Sequence, residues 1–316
     1  MTTTLSDMIN EVSMNLSGYT LTQDRSTYLK TAITAVASSS ASPTSLSLGS
    51  TDNVGKGIVE IDEELLWIDT YDRVGNTATV APYGRAYLGT TLAAHAVDAK
   101  VTISPTFPRF SIKRAINDTV KSLSGMLFAA DSTTITYSSA VSTYRLPATG
   151  NSLNIRNILS VAYESIGPSK EWIPIRSWRL DSNANSTSFS SEQTISIYDM
   201  ITSGRTIQIV YSKDPTSFSD LATLALTNDQ VFTTVTGLPE SCKDLIVIGS
   251  TYRLLSNLDP ARAGMVSPQS DEVDSKRPYG SSQSLTRQIY VLYTQRLAEE
   301  VKSQQNKYPI RLHYSL

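Results

Sequence analysis

The residues best suited to acid–base or metal chemistry are few and far apart in the chain. Its 316 residues include two histidines, His95 and His313, and one cysteine, Cys242. A catalytic triad needs a nucleophile and a base within hydrogen-bond reach, and a zinc site needs several His or Cys ligands. We therefore expect no triad, no metal or cofactor site and no disulfide framework.

The two central candidates for chemistry both have a simpler structural interpretation. His95 stands beside alanines in GRAYLGTTLAAHA, residues 84–96, which favours a packed or capping histidine over a catalytic base. Cys242 precedes an apolar run at residues 245–248, which favours a packed helix residue over a nucleophile. The strings GxxxxGK[ST], GxGxxG, GxSxG and HExxH are missing from the sequence, so we expect no enzyme of those classes.

Carboxylates cluster in IVEIDEELLWID, residues 58–69. The pattern predicts a β-hairpin, with Asp62, Glu63 and Glu64 in a solvated turn. Together with Glu60 they could bind a metal, but the regular ligand spacing of a calcium loop is missing. Carboxylate-only catalysis such as glycoside hydrolysis stays open on composition, although no pair of acids is singled out for it.

The composition of the chain limits which kinds of partner it can bind. Charged residues make up 18% of the chain, below the roughly 25% usual for soluble domains, and the formal net charge is −2. Proteins that grip nucleic acid usually have a basic footprint, so a near-neutral chain argues against tight DNA binding. The start of the chain lacks the pattern of a signal peptide, and no apolar run approaches the length of a membrane span. We expect synthesis in a reducing cytoplasm.

The elements that would position these residues alternate between helical and β patterns. The clearest helix is FPRFSIKRAINDTVKSLSGMLF, residues 107–128, in which Ile112, Ile116, Val120, Leu123 and Leu127 fall on one face. The charged residues of this helix, Lys113 among them, are expected on its outer surface.

Further amphipathic stripes predict helices near residues 5–16, 239–257 and 284–305. Thr4 and Asp7 suggest a capping box for the first of these, and in the last Leu292 belongs to the apolar stripe and Glu300 to the charged outer face. Since one stripe cannot be buried alone, we predict that these distant segments form a helical bundle.

Between the helices the periodicity changes to two, which indicates antiparallel β modules. The predicted class is α+β, a helical bundle with a small β-barrel-like module, a β-sandwich and an extended C-terminal tail inserted in or appended to it. Trp172 and Trp178 are expected to anchor the sandwich core, with a sugar-stacking surface as the alternative. The predicted segments are 1–18 for the first helix, 19–105 for the first β module, 106–130 for the central helix, 131–236 for the second β module, 237–307 for the last helices with a long loop at 259–283, and 308–316 for the tail.

The tail reads YPIRLHYSL, residues 308–316. Pro309 opposes helical continuation, and alternating Ile310, Leu312 and Tyr314 suit an added β-strand. We interpret the tail as a docking strand and these three side chains as its anchors. A frayed terminus is the alternative.

Several of these strings resemble a known group of proteins. GKGIVEIDEELLWID, GRAYLGTTLAAHA and AKVTI, within residues 27–103, are similar to a small β module of tailed-bacteriophage virion proteins, where strings of the form RGxxGTTAAAHxxGAxV occur. FPRFSIKRAINDTV resembles the helix after this module in head-to-tail connector (neck adaptor) proteins of siphovirus-like phages. The second β region departs from the smallest, purely helical adaptors.

The resemblance implies a structural function at the head–tail junction of the virion, made in the host bacterial cytoplasm. Members of the family form a ring, typically a dodecamer, that binds the portal protein and extends its channel for genome packaging and ejection. The next neck or tail protein docks on the ring, and DNA passes its lumen without specific binding. The tail anchors Ile310, Leu312 and Tyr314 would dock on the portal. The alternative is a minor tail, baseplate or host-surface protein that binds glycans through Trp172 and Trp178.

Overall fold

The computed structural model describes residues 2–18, 24–35, 44–146, 155–166, 170–185, 187–189, 192–219, 228–256 and 281–309. The fold is α+β, as the sequence predicts, and its sheets are antiparallel. The chain divides into two compact units. The first comprises Met1–Thr119, Ser217–Val235 and Lys243–Gln295, and the second comprises Val120–Thr216, Thr236–Cys242 and Arg296–Leu316.

The described residues contain five α-helices and thirteen strands. The helices are α1 Leu5–Ser17, α2 Arg109–Ser122, α3 Phe232–Thr236, α4 Lys243–Leu255 and α5 Ser281–Lys307. The strands are β1 Arg25–Tyr28, β2 Thr44–Ser47, β3 Gly57–Ile61, β4 Glu64–Asp72, β5 Thr77–Val80, β6 Lys100–Ile103, β7 Ala129–Thr136, β8 Thr143–Arg145, β9 Ile155–Glu164, β10 Trp172–Pro174, β11 Trp178–Asp181, β12 Thr194–Ile197 and β13 Thr206–Lys213.

The first unit holds a six-stranded sheet in the order β1-β6-β3-β4-β5-β2. An isolated bridge joins Leu29 to Leu48, just beyond β1 and β2, so the two edges of the sheet curl towards each other into a half-barrel. Alternating apolar residues fill its inside, as period-two patterning predicts. This core consists of Leu29, Ile33, Leu46, Leu48, Val54, Val59, Ile61, Leu66, Ile68, Ala78, Val80, Val101 and Ile103.

Helix α1 follows its sequence signals closely. Thr4 and Asp7 form the expected capping box, and the helix ends at Ser17, before Gly18. All the residues of the predicted stripe are buried: Leu5, Met8, Ile9, Val12 and Leu16.

Three helices of the first unit make direct contacts. Glu11 of α1 forms an ion pair with Lys243 of α4, with 2.7 Å between Oε2 and Nζ. Gly249 of α4 has no room for a side chain, because a Cβ there would lie 2.5 Å from Thr119 Cγ2 of α2. A residue without Cβ therefore lets α2 and α4 approach closely. No helix in the described part of the chain is long and apolar enough to cross a membrane.

Helix α2 buries its predicted stripe but stops earlier than expected. Its last residue is Ser122, and Gly125 beyond it has φ +100°, a conformation that only glycine adopts easily. Leu123 and Leu127 are buried although they lie outside the helix. The prediction that Lys113 lies on the open surface was wrong, because Lys113 is buried and pairs with Glu63.

The second unit contains two smaller sheets, β10-β9-β13-β7 and β11-β12-β8. One apolar cluster includes residues of both: Ile135, Leu146, Ile155, Val161, Ile175, Trp178, Ile195, Ile197, Ile207, Ile209 and Tyr211. Trp178 anchors this core, as predicted. Trp172 does not, because it lies on edge strand β10 with 43% of its surface exposed. Strand β11 was not predicted from the sequence pattern.

Helix α5 corrects two further expectations. It begins at Ser281, so the end of the loop predicted at 259–283 is helical, while residues 257–280 lie outside the described part. Leu292, assigned to the buried stripe, is exposed. Glu300, assigned to the charged outer face, is buried, where it pairs with Arg296 at 2.8 Å and accepts a hydrogen bond from Ser241. The spacing of residues along a helix cannot show that the hydroxyl of Ser241, from a distant segment, lies beside Glu300.

Candidate functional site

The acidic β3–β4 hairpin is the point where most buried charges of the first unit meet. Its turn places Asp62 at φ +56°, a left-handed conformation that costs an L-residue about 1–2 kcal/mol. Asp62 is exposed, but Glu63 and Glu64 are buried. The prediction of a solvated acidic turn was therefore wrong for these two glutamates, because both have partners from distant segments.

Glu64 takes part in the two most buried ion pairs in the described part of the chain, one with Arg85 and one with His95. Its carboxylate accepts two hydrogen bonds from Arg85, Nε to Oε1 at 2.7 Å and an Nη to Oε2 at 2.9 Å. The side chains of Glu64 and Arg85 are 0% and 2% exposed. The backbone N–H groups of Ala86 and Ala93 donate to the same carboxylate. A buried charge pair is stable only with this kind of geometry and full hydrogen bonding.

His95 extends the network to a second carboxylate. Its Nε2 lies 2.9 Å from Oε2 of Glu64, and its Nδ1 lies 2.7 Å from Oδ2 of Asp62. A neutral imidazole has only one N–H, so two carboxylate partners require the doubly protonated ring. Burial would lower the pKa of His95, but the hydrogen bonds to Asp62 and Glu64 raise it above its ordinary value.

The cations in turn keep Glu64 ionised. Burial by itself would raise the pKa of its carboxyl, but hydrogen bonds from His95, Arg85 and the two backbone N–H groups bring it to about 2. Both carboxylate oxygens of Glu64 thus already accept hydrogen bonds from groups of the same chain. The arrangement braces the hairpin against residues 84–96 and leaves Glu64 no free position for a substrate or metal. No group of three or more metal-ligating side chains occurs in the described residues.

The other two glutamates of the hairpin join the half-barrel to helix α2. Glu60 of β3 accepts the N–H of Arg109, at 2.6 Å, and thereby caps the start of α2. Burial raises the pKa of Glu60 to about 7, against the opposing effect of that backbone hydrogen bond and the Arg109 charge. Glu63 contacts Lys113 of α2 at 3.4 Å and accepts a 2.6 Å hydrogen bond from Asn228.

The segment tied down by Glu64 is tightly wound. Tyr83, Ala86 and Leu88 have φ of 59°, 51° and 55°, so three residues other than glycine are left-handed within six positions. Each costs about 1–2 kcal/mol, a strain that persists only where surrounding contacts overrule it. Gly84 packs so closely that a Cβ would lie 2.8 Å from the Ala81 carbonyl oxygen. The Oγ1 of Thr90 accepts a hydrogen bond from the N–H of Leu65.

This loop presents apolar side chains to solvent. Tyr83 is 71% and Leu88 is 66% exposed, although both are large. A second exposed apolar set occurs on α5, where Tyr290, Val291 and Leu292 are about half exposed. Exposed apolar groups that adjoin one another commonly mark contact surfaces.

An open groove of about 550 Å³ lies between α2 and the end of α4. Its size falls in the range of ligand pockets, roughly 300–1,000 Å³. Arg114 and Asp118, which line it, are both exposed, so their charges are screened by water. Among its described lining residues, the groove has no buried and oriented polar groups that would make it selective for a ligand.

The candidate residues named from the sequence do not come together in one site among the described residues. His95 is packed as expected, though between carboxylates rather than alanines. Cys242 is buried, and burial together with the Glu300 charge raises the pKa of its thiol to about 12. The proposed docking anchors Ile310, Leu312 and Tyr314 lie outside the described residues. Arg85 was missed, although a lone arginine in an apolar string is a signal for a buried ion pair.

No protein-family model matches the chain, and no curated protein matches it.

Proposed function

We propose that this protein is a virion structural protein, a head-to-tail adaptor of a tailed bacteriophage that forms a ring beneath the portal. In this function the ring extends the DNA channel, joins the capsid to the tail and binds the next neck protein. The protein has no catalytic task. A dodecamer matched to the portal is the expected stoichiometry.

The proposal is carried by one observation, that residues of the string GRAYLGTTLAAHA, which resembles the phage module, hold the β3–β4 hairpin in place. Arg85, Thr90 and His95 of GRAYLGTTLAAHA all serve the hairpin, through Glu64 or Leu65, and none of them lines the open groove. The string is therefore a scaffold for one loop conformation. Residues that build architecture are what a shared structural module needs.

Two finer features of the fold belong to the same proposal. We infer that α1, α2, α4 and α5 form one helical bundle, in support of which α4 contacts α1, α2 and the Tyr290–Tyr293 turn of α5. We infer also that the two sheets of the second unit pack as a sandwich, in support of which they share one apolar cluster.

The near-neutral charge supports a channel function. A lumen that neutralised many phosphates would hold the genome, because each contact adds to a binding energy that displaces counterions. With a formal net charge of −2, the chain offers no excess of cations for this. DNA would then slide past the ring.

The test is native mass spectrometry of the purified protein, alone and with portal rings. We expect a complex whose copy number matches the portal. A protein that stays monomeric with portal rings present would contradict the adaptor function.

The docking tail can be tested in the same assay. A chain ending at Pro309 removes the anchors Ile310, Leu312 and Tyr314 but keeps Tyr308, whose ring lies 5.7 Å from Phe128. We expect this chain to lose portal binding. The matched variants are a triple serine substitution of the three anchors and a double serine substitution of Arg311 and His313, which would face the opposite side of the proposed docking strand. Equal binding by both would show that the tail does not dock.

One observation favours a second candidate, a glycan-binding tail or baseplate protein. Trp172 is exposed on an edge strand next to Ile173, which is also exposed. An exposed indole can stack on a sugar ring, but Trp178 is buried and cannot contribute to such a surface. Glycan-array binding that disappears in Trp172→Ala would support this candidate over the adaptor.

A further inference from the structure

The His95 ring contacts two carboxylates whose surroundings differ. The side chain of Glu64 is fully buried, whereas the side chain of Asp62, in the β3–β4 turn, is 46% exposed. We propose that His95 is a proton-dependent latch: when the ring loses one proton it keeps its hydrogen bond to Glu64 and releases Asp62, and the turn opens. The latch is independent of the proposed function, because all of its parts lie in one chain and in the first unit.

The charged groups around the ring come from the hairpin. Glu64 of β4 lies on Nε2 and Asp62 of the turn lies on Nδ1, while Arg85 is hydrogen-bonded to Glu64 and not to the ring. Residues 32–35, which pair with the backbone of His95, have no charged side chain. Burial opposes a charge on the ring, but the hydrogen bonds to both carboxylates raise the pKa of His95 above its ordinary value. The latch is therefore closed at neutral pH and opens as the pH rises further.

The position of the remaining proton decides which carboxylate is released. A neutral imidazole has a single N–H for the two acceptors. If that proton stayed on Nδ1, the Nε2 lone pair would face the Glu64 carboxylate at 2.9 Å, at a site closed to water. If it stays on Nε2, the Nδ1 lone pair faces Asp62, which can turn into solvent. The second arrangement costs less, because water can solvate the exposed carboxylate but not the buried one.

The conformation of the turn favours release as well. Asp62 has φ of 56°, a left-handed conformation that persists in an L-residue only where surrounding contacts hold it. Among the described residues, His95 is the hydrogen-bond partner of the Asp62 side chain. The next residue, Glu63, contacts Lys113 of α2. The turn that the latch releases is thus the one that joins the half-barrel to this helix.

NMR of isotope-labelled histidine side chains tests the protonation step. The chain contains two histidines, so His313→Gln leaves one signal, that of His95. We expect the ring to lose its proton above the ordinary pKa of about 6.5, and the neutral ring to carry its proton on Nε2. A ring that becomes neutral below that pH would overturn the proposal. A neutral ring with its proton on Nδ1 would overturn it too.

Hydrogen exchange of the backbone N–H groups at residues 62–64 shows whether the turn opens. After correction for the intrinsic pH dependence of exchange, we expect their protection to fall about tenfold or more, with the same midpoint as the titration of His95. The N–H groups of β13, in the second unit, are the internal control and should keep their protection. A turn that stays equally protected while His95 titrates would contradict the latch.

Two equally exposed aspartates provide matched variants. The side chains of Asp62 and Asp69 are both 46% exposed, but Asp69 pairs with Lys56 instead of His95. Asparagine at position 62 tolerates the left-handed conformation, and its amide can accept from a charged ring or donate to a neutral one. We expect Asp62→Asn to lower the titration midpoint of His95 by about one pH unit or more and to keep the turn protected throughout.

Asp69→Asn should leave the titration of His95 and the protection of the turn as they are in the wild type. Equal midpoints for Asp62→Asn and Asp69→Asn would overturn the proposal. So would a turn that opens with rising pH in Asp62→Asn as it does in the wild type, because the opening would then follow another titrating group that both chains contain, such as Glu60.

Discussion

The half-barrel and the sheets of the second unit stabilise similar antiparallel strands in different ways. Beside its apolar core, the half-barrel buries Glu64, Arg85 and His95 together. The second unit has an apolar cluster that includes Trp178, and its ion pairs are partly exposed, as in Lys213–Asp131 with side chains 30% and 45% exposed. Removing one partner of a buried ion pair strongly destabilises the fold, because the other charge is left buried and unpaired. Removing one partner of an exposed ion pair changes the free energy of unfolding little.

The largest effect should come from neutralising the buried carboxylate. Glu64→Gln keeps the shape of the side chain but leaves Arg85 and His95 facing a neutral amide. We expect a loss of about 4–5 kcal/mol in the free energy of unfolding, measured by urea denaturation. The same exchange at the exposed pair, Asp131→Asn, should cost no more than about 1 kcal/mol. Similar losses at both positions would remove the contrast between the two regions.

A somewhat smaller effect should come from the apolar core of the second unit. Trp178→Ala removes a buried indole, and we expect a loss of about 3 kcal/mol in the free energy of unfolding. Trp172→Ala, on the exposed edge strand, should cost less than about 1 kcal/mol. Thermal unfolding of the two variants side by side measures the difference. If Trp172 proved the more costly residue to remove, the assignment of the core would be wrong.

The smallest effect concerns pH and distinguishes the half-barrel again. The pKa of Glu60 is about 7 in the folded protein and near 4.5 when unfolded. A raised pKa contributes stability that is fully present below pH 4.5 and is lost as the pH rises through 7. We expect the wild-type advantage over Glu60→Gln to shrink by about 2–3 kcal/mol between pH 4.5 and 7.5.

Comparing these two chains cancels other titrating groups, including His95, which both of them contain. Glu171→Gln, at an exposed position of the second unit, should follow the wild-type pH profile. A wild-type advantage over Glu60→Gln that stays constant across this pH range would show that Glu60 does not titrate in the folded protein near neutrality.

Local patterns were sufficient where neighbours in sequence are neighbours in space. The capping box of Thr4 and Asp7, the stripe of α1 and the β3–β4 hairpin were all predictable, because helix and hairpin periodicities are local. Helix ends were less certain. Helix α2 stops at Ser122 rather than near Phe128, since the chain must turn to enter β7.

Partners across long stretches of chain could not be read from the pattern. Glu64 meets Arg85 and His95 from 21 and 31 residues away, and Glu300 meets Ser241 from 59 residues away. The sequence placed both glutamates in solvent because charged residues are rarely buried unless paired. Trp172 and Trp178 pose the same problem in reverse. Six residues apart and chemically identical, they differ in burial, because Trp178 belongs to the apolar cluster and Trp172 lies exposed on edge strand β10.

By itself the sequence determined the α+β class, most of the helices and strands, and the shortage of residues for acid–base or metal chemistry. Those properties follow from composition and short-range periodicity. Only the tertiary structure decided that Glu63 and Glu64 of the acidic hairpin are buried, that residues 83–88 form a strained loop and that Tyr290, Val291 and Leu292 of α5 are exposed. Each depends on which surfaces meet, and burial is a property of the assembled chain rather than of any one segment.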